Sequence, residues 1–159
     1  MAFFHWLQDT TYIQFVGGSD SIWGFPFVLV LHTVGLALTV GTNAVVNLRV
    51  LGAGDKIPLG ALLRIVRVMW IGFAISVISG SILFLAAGSN RQAWMGVFYL
   101  KLSLIALALI VTYLIRPVLR REPGSERGGT PAWAKVMAVT SLLLWAAAIG
   151  AARMMALAN

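Results

Sequence analysis

Four stretches of this chain are each apolar over the ~20 residues that a helix needs to cross the hydrocarbon of a bilayer. The chain has 159 residues, of which 60% are hydrophobic and 11% charged, and its mean hydropathy is +0.90. A soluble domain this small cannot hide so much apolar surface in one core. The sequence therefore predicts an all-α protein, a transmembrane four-helix bundle forming a single integral membrane domain over residues 1–159. The predicted spans are residues 25–47, 68–87, 97–115 and 134–155.

The residues before the first span predict a short interfacial helix over residues 2–13. In the segment "AFFHWLQDTTYI" the apolar side chains share one broad face of a helical wheel, and the polar ones, including His5, lie opposite. This pattern is typical of a helix that lies at the membrane surface. The glycine-containing segment "VGGSDS" that follows is predicted to end this helix.

The net charge of +7 is unevenly distributed, and its distribution predicts an orientation. Most basic residues fall in or beside the first and third connections: Arg49, Lys56, Arg64, Arg67, Arg116, Arg120, Arg121, Arg127 and Lys135. The opposite side keeps only Arg91, Lys101 and Arg153. The positive-inside rule then places both termini in the periplasm of a bacterial inner membrane. The basic charge therefore indicates membrane topology, and its expected partner is the lipid bilayer. We predict no nucleic-acid binding from it.

Polar residues follow one face of the first span. His32, Thr39 and Asn43 lie nearly in line along a helix, and such a stripe is unfavourable against lipid, so it should face the bundle interior. Similar lines are predicted on the third span, with Lys101, Ala108 and Thr112, and on the fourth, with Ser141, Trp145, Ala148, Ala152 and, at its edge, Arg153. On the second span, Gly72, Ser76 and Gly80 predict close helix packing.

Three basic groups are predicted to converge on the periplasmic half of the bundle. His32 should lie ~12 Å below the membrane boundary at 1.5 Å rise per residue. Lys101 comes early in the third span, Arg153 ends the fourth, and no span contains Asp or Glu. Because a buried cation without a partner is unfavourable, either these groups reach water or a bound anion neutralises them.

Haem b would account for these features together. His32 would ligate the iron as a neutral imidazole, and Lys101, Arg153 and Arg91 would pair with the propionates. The sixth ligand is open between His5, Lys101 as a neutral amine, Met95 and none. A quinone headgroup bound by His32 and Lys101 is a second interpretation. A third is a structural histidine that bonds a backbone carbonyl or Thr33 and only helps to pack helices.

The motifs "LHTVGLALTVGTNAVVNLRVLG", "GFAISVISGSILF", "FYLKLSL" and "SLLLWAAAIGAAR" together resemble a bacterial family of small four-span membrane proteins, a domain of unknown function. The chain differs from that pattern at Asn47, Ser79 and Ala152, where the family has Asp, Thr and Gly. More distantly, the first span and Lys101 are similar to membrane protoporphyrinogen oxidases of the HemJ type, and the first span to the membrane domain of copper-resistance protein D. The HemJ resemblance implies b-type haem at His32 and Lys101.

These patterns predict a haem-binding, cytochrome b-like protein that transfers electrons between the quinone pool and a redox partner. It would act with other membrane or periplasmic redox subunits or as a homo-oligomer. The lack of cysteine excludes thiolate metal sites and c-type haem. No sequence motif marks a catalytic nucleophile or a nucleotide loop, so enzyme status stays open, with an oxidoreductase component as the expected class. The alternative is a non-catalytic membrane anchor or assembly subunit.

Overall fold

The computed structural model describes residues 10–18, 21–53, 57, 59–86, 95–120 and 130–157, and all regular secondary structure among them is helical. The helices are α1 (Thr11–Gly18), α2 (Phe25–Leu51), α3 (Leu59–Ala86), α4 (Met95–Leu119) and α5 (Ala132–Leu157). Within this described part, α2 to α5 are each long and apolar enough to cross a membrane. The predicted all-α fold with four membrane-spanning helices is therefore confirmed.

The ends of α2 follow from local backbone chemistry. Pro26 lies in its first turn, where a missing N–H removes no hydrogen bond from the helix. At the other end the N–H of Gly52 donates to the carbonyl of Arg49 and that of Ala53 to Leu48, the bonding pattern of a Schellman cap. Gly52 has φ +108°, a left-handed conformation that glycine adopts without steric cost. The Nε of Arg49 then donates to the carbonyl of Ile57 at 2.7 Å and holds the connection to α3.

Helix α3 begins at Leu59, nine residues before the predicted span. Leu62, Val66 and Met69 lie on one buried face, while Arg64 and Arg67 between them are exposed. This spacing continues the amphipathic helix beyond its most apolar segment. The predicted span includes only residues suited to hydrocarbon, and the helix extends beyond it through the basic segment that follows the connection.

The short N-terminal helix includes the end of the predicted segment and extends beyond it. It covers Thr11–Gly18, and of the predicted residues 2–13, residues 2–9 lie outside the described residues. The helix also continues through Gly17 and Gly18, which were predicted to end it. Gly17 packs so closely on α3 that a Cβ there would lie 3.1 Å from the carbonyl oxygen of Ala86. Close approach to a neighbouring helix, rather than a turn, explains this glycine.

The chain forms two compact units, and α2 and α3 contribute to both. Unit 1 comprises Met1–Thr39 and Trp70–Ala93, so its described part holds α1, residues 25–39 of α2 and residues 70–86 of α3. Unit 2 comprises Val40–Met69 and Trp94–Asn159. The single domain over residues 1–159 stays a prediction.

Unit 2 is a four-helix bundle with a continuous apolar core. All four long helices supply buried side chains to it: Val46 and Val50 from α2, Leu62, Val66 and Met69 from α3, Ile115, Val118 and Leu119 from α4, and Ala134 and Ala138 from α5. Because the end of α4 and the start of α5 meet in this core, these two helices run antiparallel within the unit.

Large apolar side chains cover the outside of both units. In unit 1, Val30 and Ile78 are 62% and 63% exposed, and in unit 2 Leu143 is 66% exposed. Exposed apolar side chains along a helix of membrane-spanning length are suited to lipid and unfavourable in water. The outward faces therefore indicate a bilayer environment for this multi-pass protein.

Candidate functional site

His32 lies in unit 1 with its imidazole packed against α3. The ring is half-buried, and its Nδ1 lies 3.1 Å from the carbonyl oxygen of Ser76 and 3.1 Å from the hydroxyl of Ser79. Thr33, the alternative partner that the sequence offers for this ring, donates its hydroxyl proton to the carbonyl of Leu29 in its own helix. The imidazole thus reaches across to the neighbouring helix rather than outward to lipid.

Gly80 forms the floor beneath the imidazole. A Cβ at Gly80 would lie 2.9 Å from Cε1 and 3.3 Å from Nδ1 of His32, so any side chain there would meet the ring. One turn along α2 from His32, Gly35 faces Ser76 and Gly72, which lie one and two turns from Gly80 on α3, with backbone atoms of both within 3 Å of the position of an added Cβ. The predicted close packing through small residues is confirmed, and it creates the space that the imidazole fills.

The hydrogen bonds of His32 determine which ring nitrogen carries the proton. A carbonyl oxygen only accepts, so the contact with Ser76 requires a proton on Nδ1. In a neutral imidazole the other nitrogen, Nε2, then holds a lone pair. Metal-ligating histidines usually show this arrangement, with one nitrogen donating to a carbonyl or carboxylate and the other ligating.

The polar stripe on α2 faces inward, as predicted. Thr39 in unit 1 and Asn43 in unit 2 are almost completely buried, and Thr39 donates to the carbonyl of Gly35. The predicted lines on the other spans are buried as well, at Ala108 and Thr112 on α4 and at Ser141, Trp145 and Ala148 on α5.

Asn43 organises a polar core in unit 2 that connects all four helices. Its Nδ2 donates to the hydroxyl of Thr112 at 2.7 Å and, more weakly, to the sulfur of Met69 at 3.7 Å. Its Oδ1 accepts from Asn47, one turn away, and from the hydroxyl of Ser141 at 3.1 Å. Asn47 also donates to Ser141 at 3.1 Å. The sequence predicts Asn43 on the inward stripe but does not predict the partners of Asn47.

Lys101 and Arg153 lie toward the same end of unit 2. Thr112 of α4 and Ser141 of α5 both bond Asn43, and from that level Lys101 and Arg153 are ~16 Å and ~18 Å away along their antiparallel helices, at 1.5 Å per residue. Lys101 is half-buried and Arg153 is exposed. All five acidic residues of the sequence lie outside the five helices, at Asp9, Asp20, Asp55, Glu122 and Glu126.

The remaining predicted site residues are distributed differently. His5 and Arg91 lie outside the described residues, and Met95 is the first residue of α4. Within the described ranges no three His, Cys, Asp or Glu side chains group together as a metal site. A haem iron held axially by one histidine needs no such group.

Comparisons of the chain with protein-family models, with curated proteins and with solved structures find no match. The resemblance to small four-span membrane proteins and to HemJ-type oxidases therefore stays a prediction. Support for the candidate site therefore comes only from the geometry of the residues around His32.

Sequence reasoning missed the two residues of α3 that define the surroundings of His32. Gly80 was recognised only as a packing residue, and Ser79 only as a difference from the resembled family. The sequence feature that points to these residues is the stripe of small residues on the second span. It matches a stripe on the first span that contains His32 and Gly35. Its register, which pairs His32 with Gly80, depends on how the two antiparallel helices slide along each other.

Proposed function

We propose that the protein binds haem b through Nε2 of His32. It would transfer electrons between the quinone pool and a redox partner in the bacterial inner membrane, with both termini in the periplasm. The observation that carries the proposal is the bond from Nδ1 of His32 to the carbonyl of Ser76. That bond orients the ring and leaves the basic electron pair on the nitrogen that would ligate iron.

The surroundings of His32 suit a porphyrin. The ring contacts Ser76, Ser79 and Gly80 of α3, and neither α2 nor α3 contains a carboxylate that would compete for the metal. Bound haem would supply a one-electron redox couple, and the chain's own residues would hold it and keep water away. Lys101, Arg153 and Arg91 remain the proposed partners of the propionates, because the five helices that the structure describes contain no acidic residue to neutralise these cations.

The proposal includes an assembly. Other membrane or periplasmic redox subunits, or further copies of this chain, would complete the electron path beyond the membrane-spanning helices. A quinone headgroup bound by His32 and Lys101 without haem is the weaker form of this proposal.

A second function is favoured by the same hydrogen bond. The contact between His32 and the Ser76 carbonyl links α2 to α3, and a purely structural histidine would use that contact too. On this alternative the protein is a non-catalytic membrane anchor or assembly subunit. The two functions differ in whether Nε2 binds a metal.

Absorption spectroscopy separates the two functions. We expect protein purified in mild detergent after expression with ample haem to show a Soret band that shifts on reduction with dithionite. His32→Ala should lose this band, whereas Thr33→Val, which changes the adjacent residue and its bond to Leu29, should keep it. A colourless wild-type protein, or a full Soret band in His32→Ala, would favour the anchor.

A further inference from the structure

The hydroxyl of Ser79 lies between the imidazole of His32 and the backbone of α3. Its Oγ is 3.1 Å from Nδ1 of His32 and 2.6 Å from the carbonyl oxygen of Ile75. A hydroxyl has one proton, and the carbonyl can only accept, so the short contact assigns that proton to Ile75. The lone pairs of Ser79 are therefore the atoms that face Nδ1.

Nδ1 of His32 thus faces two acceptors. The Ser76 carbonyl and the Ser79 hydroxyl both lie 3.1 Å away, and one N–H shared between them satisfies both contacts. If the proton moved to Nε2, Nδ1 would present a lone pair to the carbonyl oxygen, and Ser79 would have to leave Ile75 to donate to it.

We infer that Ser79 is a positioning residue that keeps the His32 proton on Nδ1 and so makes Nε2 the metal-binding nitrogen. The inference rests on the proposed function for the identity of the metal as haem iron. The preference for Nδ1 itself is a property of the protein without haem. Ser76 acts differently, because it contributes its backbone carbonyl and its own hydroxyl has no partner among the described residues.

If His32 ligates haem iron, Ser79 should influence the reduction potential of that haem. A hydrogen bond accepted from Nδ1–H makes the imidazole a stronger electron donor to iron, which stabilises the oxidised state. Removing the Ser79 hydroxyl should therefore make the potential more positive. Ser79→Thr keeps a hydroxyl at this position and should keep the wild-type potential.

The test compares Ser79→Ala with Ser79→Thr and Ser76→Ala. In haem-free protein labelled with ¹⁵N-histidine in lipid bilayers, His32 should show a protonated Nδ1 and an unprotonated Nε2. Ser79→Ala should move the Nδ1 proton resonance upfield and raise the ratio of Nε2–H to Nδ1–H tautomer about fivefold, the factor expected for one lost hydrogen bond. Ser79→Thr and Ser76→Ala should leave both values at wild type, since the carbonyl of residue 76 is retained.

The haem-loaded variants give the second readout. Ser79→Ala should have a more positive midpoint potential than wild type, and both control variants should match wild type. A wild-type His32 protonated on Nε2, or an unchanged Nδ1 resonance in Ser79→Ala, would overturn the inference. Failure to bind haem would instead overturn the proposed function, and the spectra of the haem-free protein would still decide the role of Ser79.

Discussion

The imidazole of His32 rests on Gly80, so closely that a Cβ on this glycine would stand 2.9 Å from Cε1 of the ring. Ser76 and Ser79, which precede Gly80 on α3, supply both hydrogen-bond acceptors of Nδ1. The imidazole can reach them because Gly80 has no side chain in its way. The two helices thus provide a ring, a floor and two acceptors from four nearby positions.

Gly80→Ala should weaken haem binding without unfolding the protein. The added methyl group meets a side chain rather than backbone, so the ring moves and loses its bonds to Ser76 and Ser79. Loss of such outer partners typically lowers metal affinity 10- to 100-fold, and we expect a loss of roughly tenfold or more by haem titration. Gly41→Ala, where an added Cβ meets nothing within 4 Å, should titrate as wild type. Equal affinity of the two variants would show that the ring does not depend on this floor.

Gly72→Ala should destabilise the protein. Its Cβ would lie 2.6 Å from the Cβ of Leu38 and 2.9 Å from backbone atoms of Gly35 and Thr39, which cannot rotate away. Overpacking of this kind costs about 1–3 kcal/mol. The free energy of unfolding, measured by denaturant titration in detergent micelles, should fall by this amount. The matched substitution Gly150→Ala has open space around it and should leave the free energy unchanged or slightly higher. Similar values for both variants would mean that the helices are further apart than described.

Asn43→Leu should destabilise unit 2. The substitution keeps the side-chain volume roughly constant but removes bonds to Thr112, Ser141 and Met69 on three other helices. With ~0.6 kcal/mol for each interhelical hydrogen bond in a membrane, the loss is about 2 kcal/mol. Thr140→Val removes only an exposed bond within α5 and should change the same unfolding measurement little. A loss no larger than that of Thr140→Val would argue against the polar core.

The sequence was enough to predict the membrane-spanning helices and the inward direction of Thr39 and Asn43. Both follow from local rules, the first from the length of apolar stretches and the second from helical periodicity combined with the cost of polar groups in lipid. Helix α3 begins at Leu59, before the predicted span, because apolar length marks only the part suited to hydrocarbon while helical periodicity continues past the arginines.

The partners of His32 and Asn47 could not be predicted in the same way. Each depends on the rotation and register of one helix against another, here α2 against α3 for His32 and α2 against α5 for Asn47. The same sequence allows the stripes of small residues to pack against each other in several registers. Ser79 therefore stood out only once its hydroxyl was found 3.1 Å from the imidazole.

Chemical rescue of a His32→Gly variant tests the ligation of iron by His32 most directly. The variant removes the imidazole and leaves its space, so we predict that the purified protein has little Soret absorbance when supplied with haem. Adding free imidazole should restore the band, with an absorbance that rises with imidazole concentration until the site is saturated. A His32→Gly protein that binds haem as well as wild type without imidazole would contradict the account.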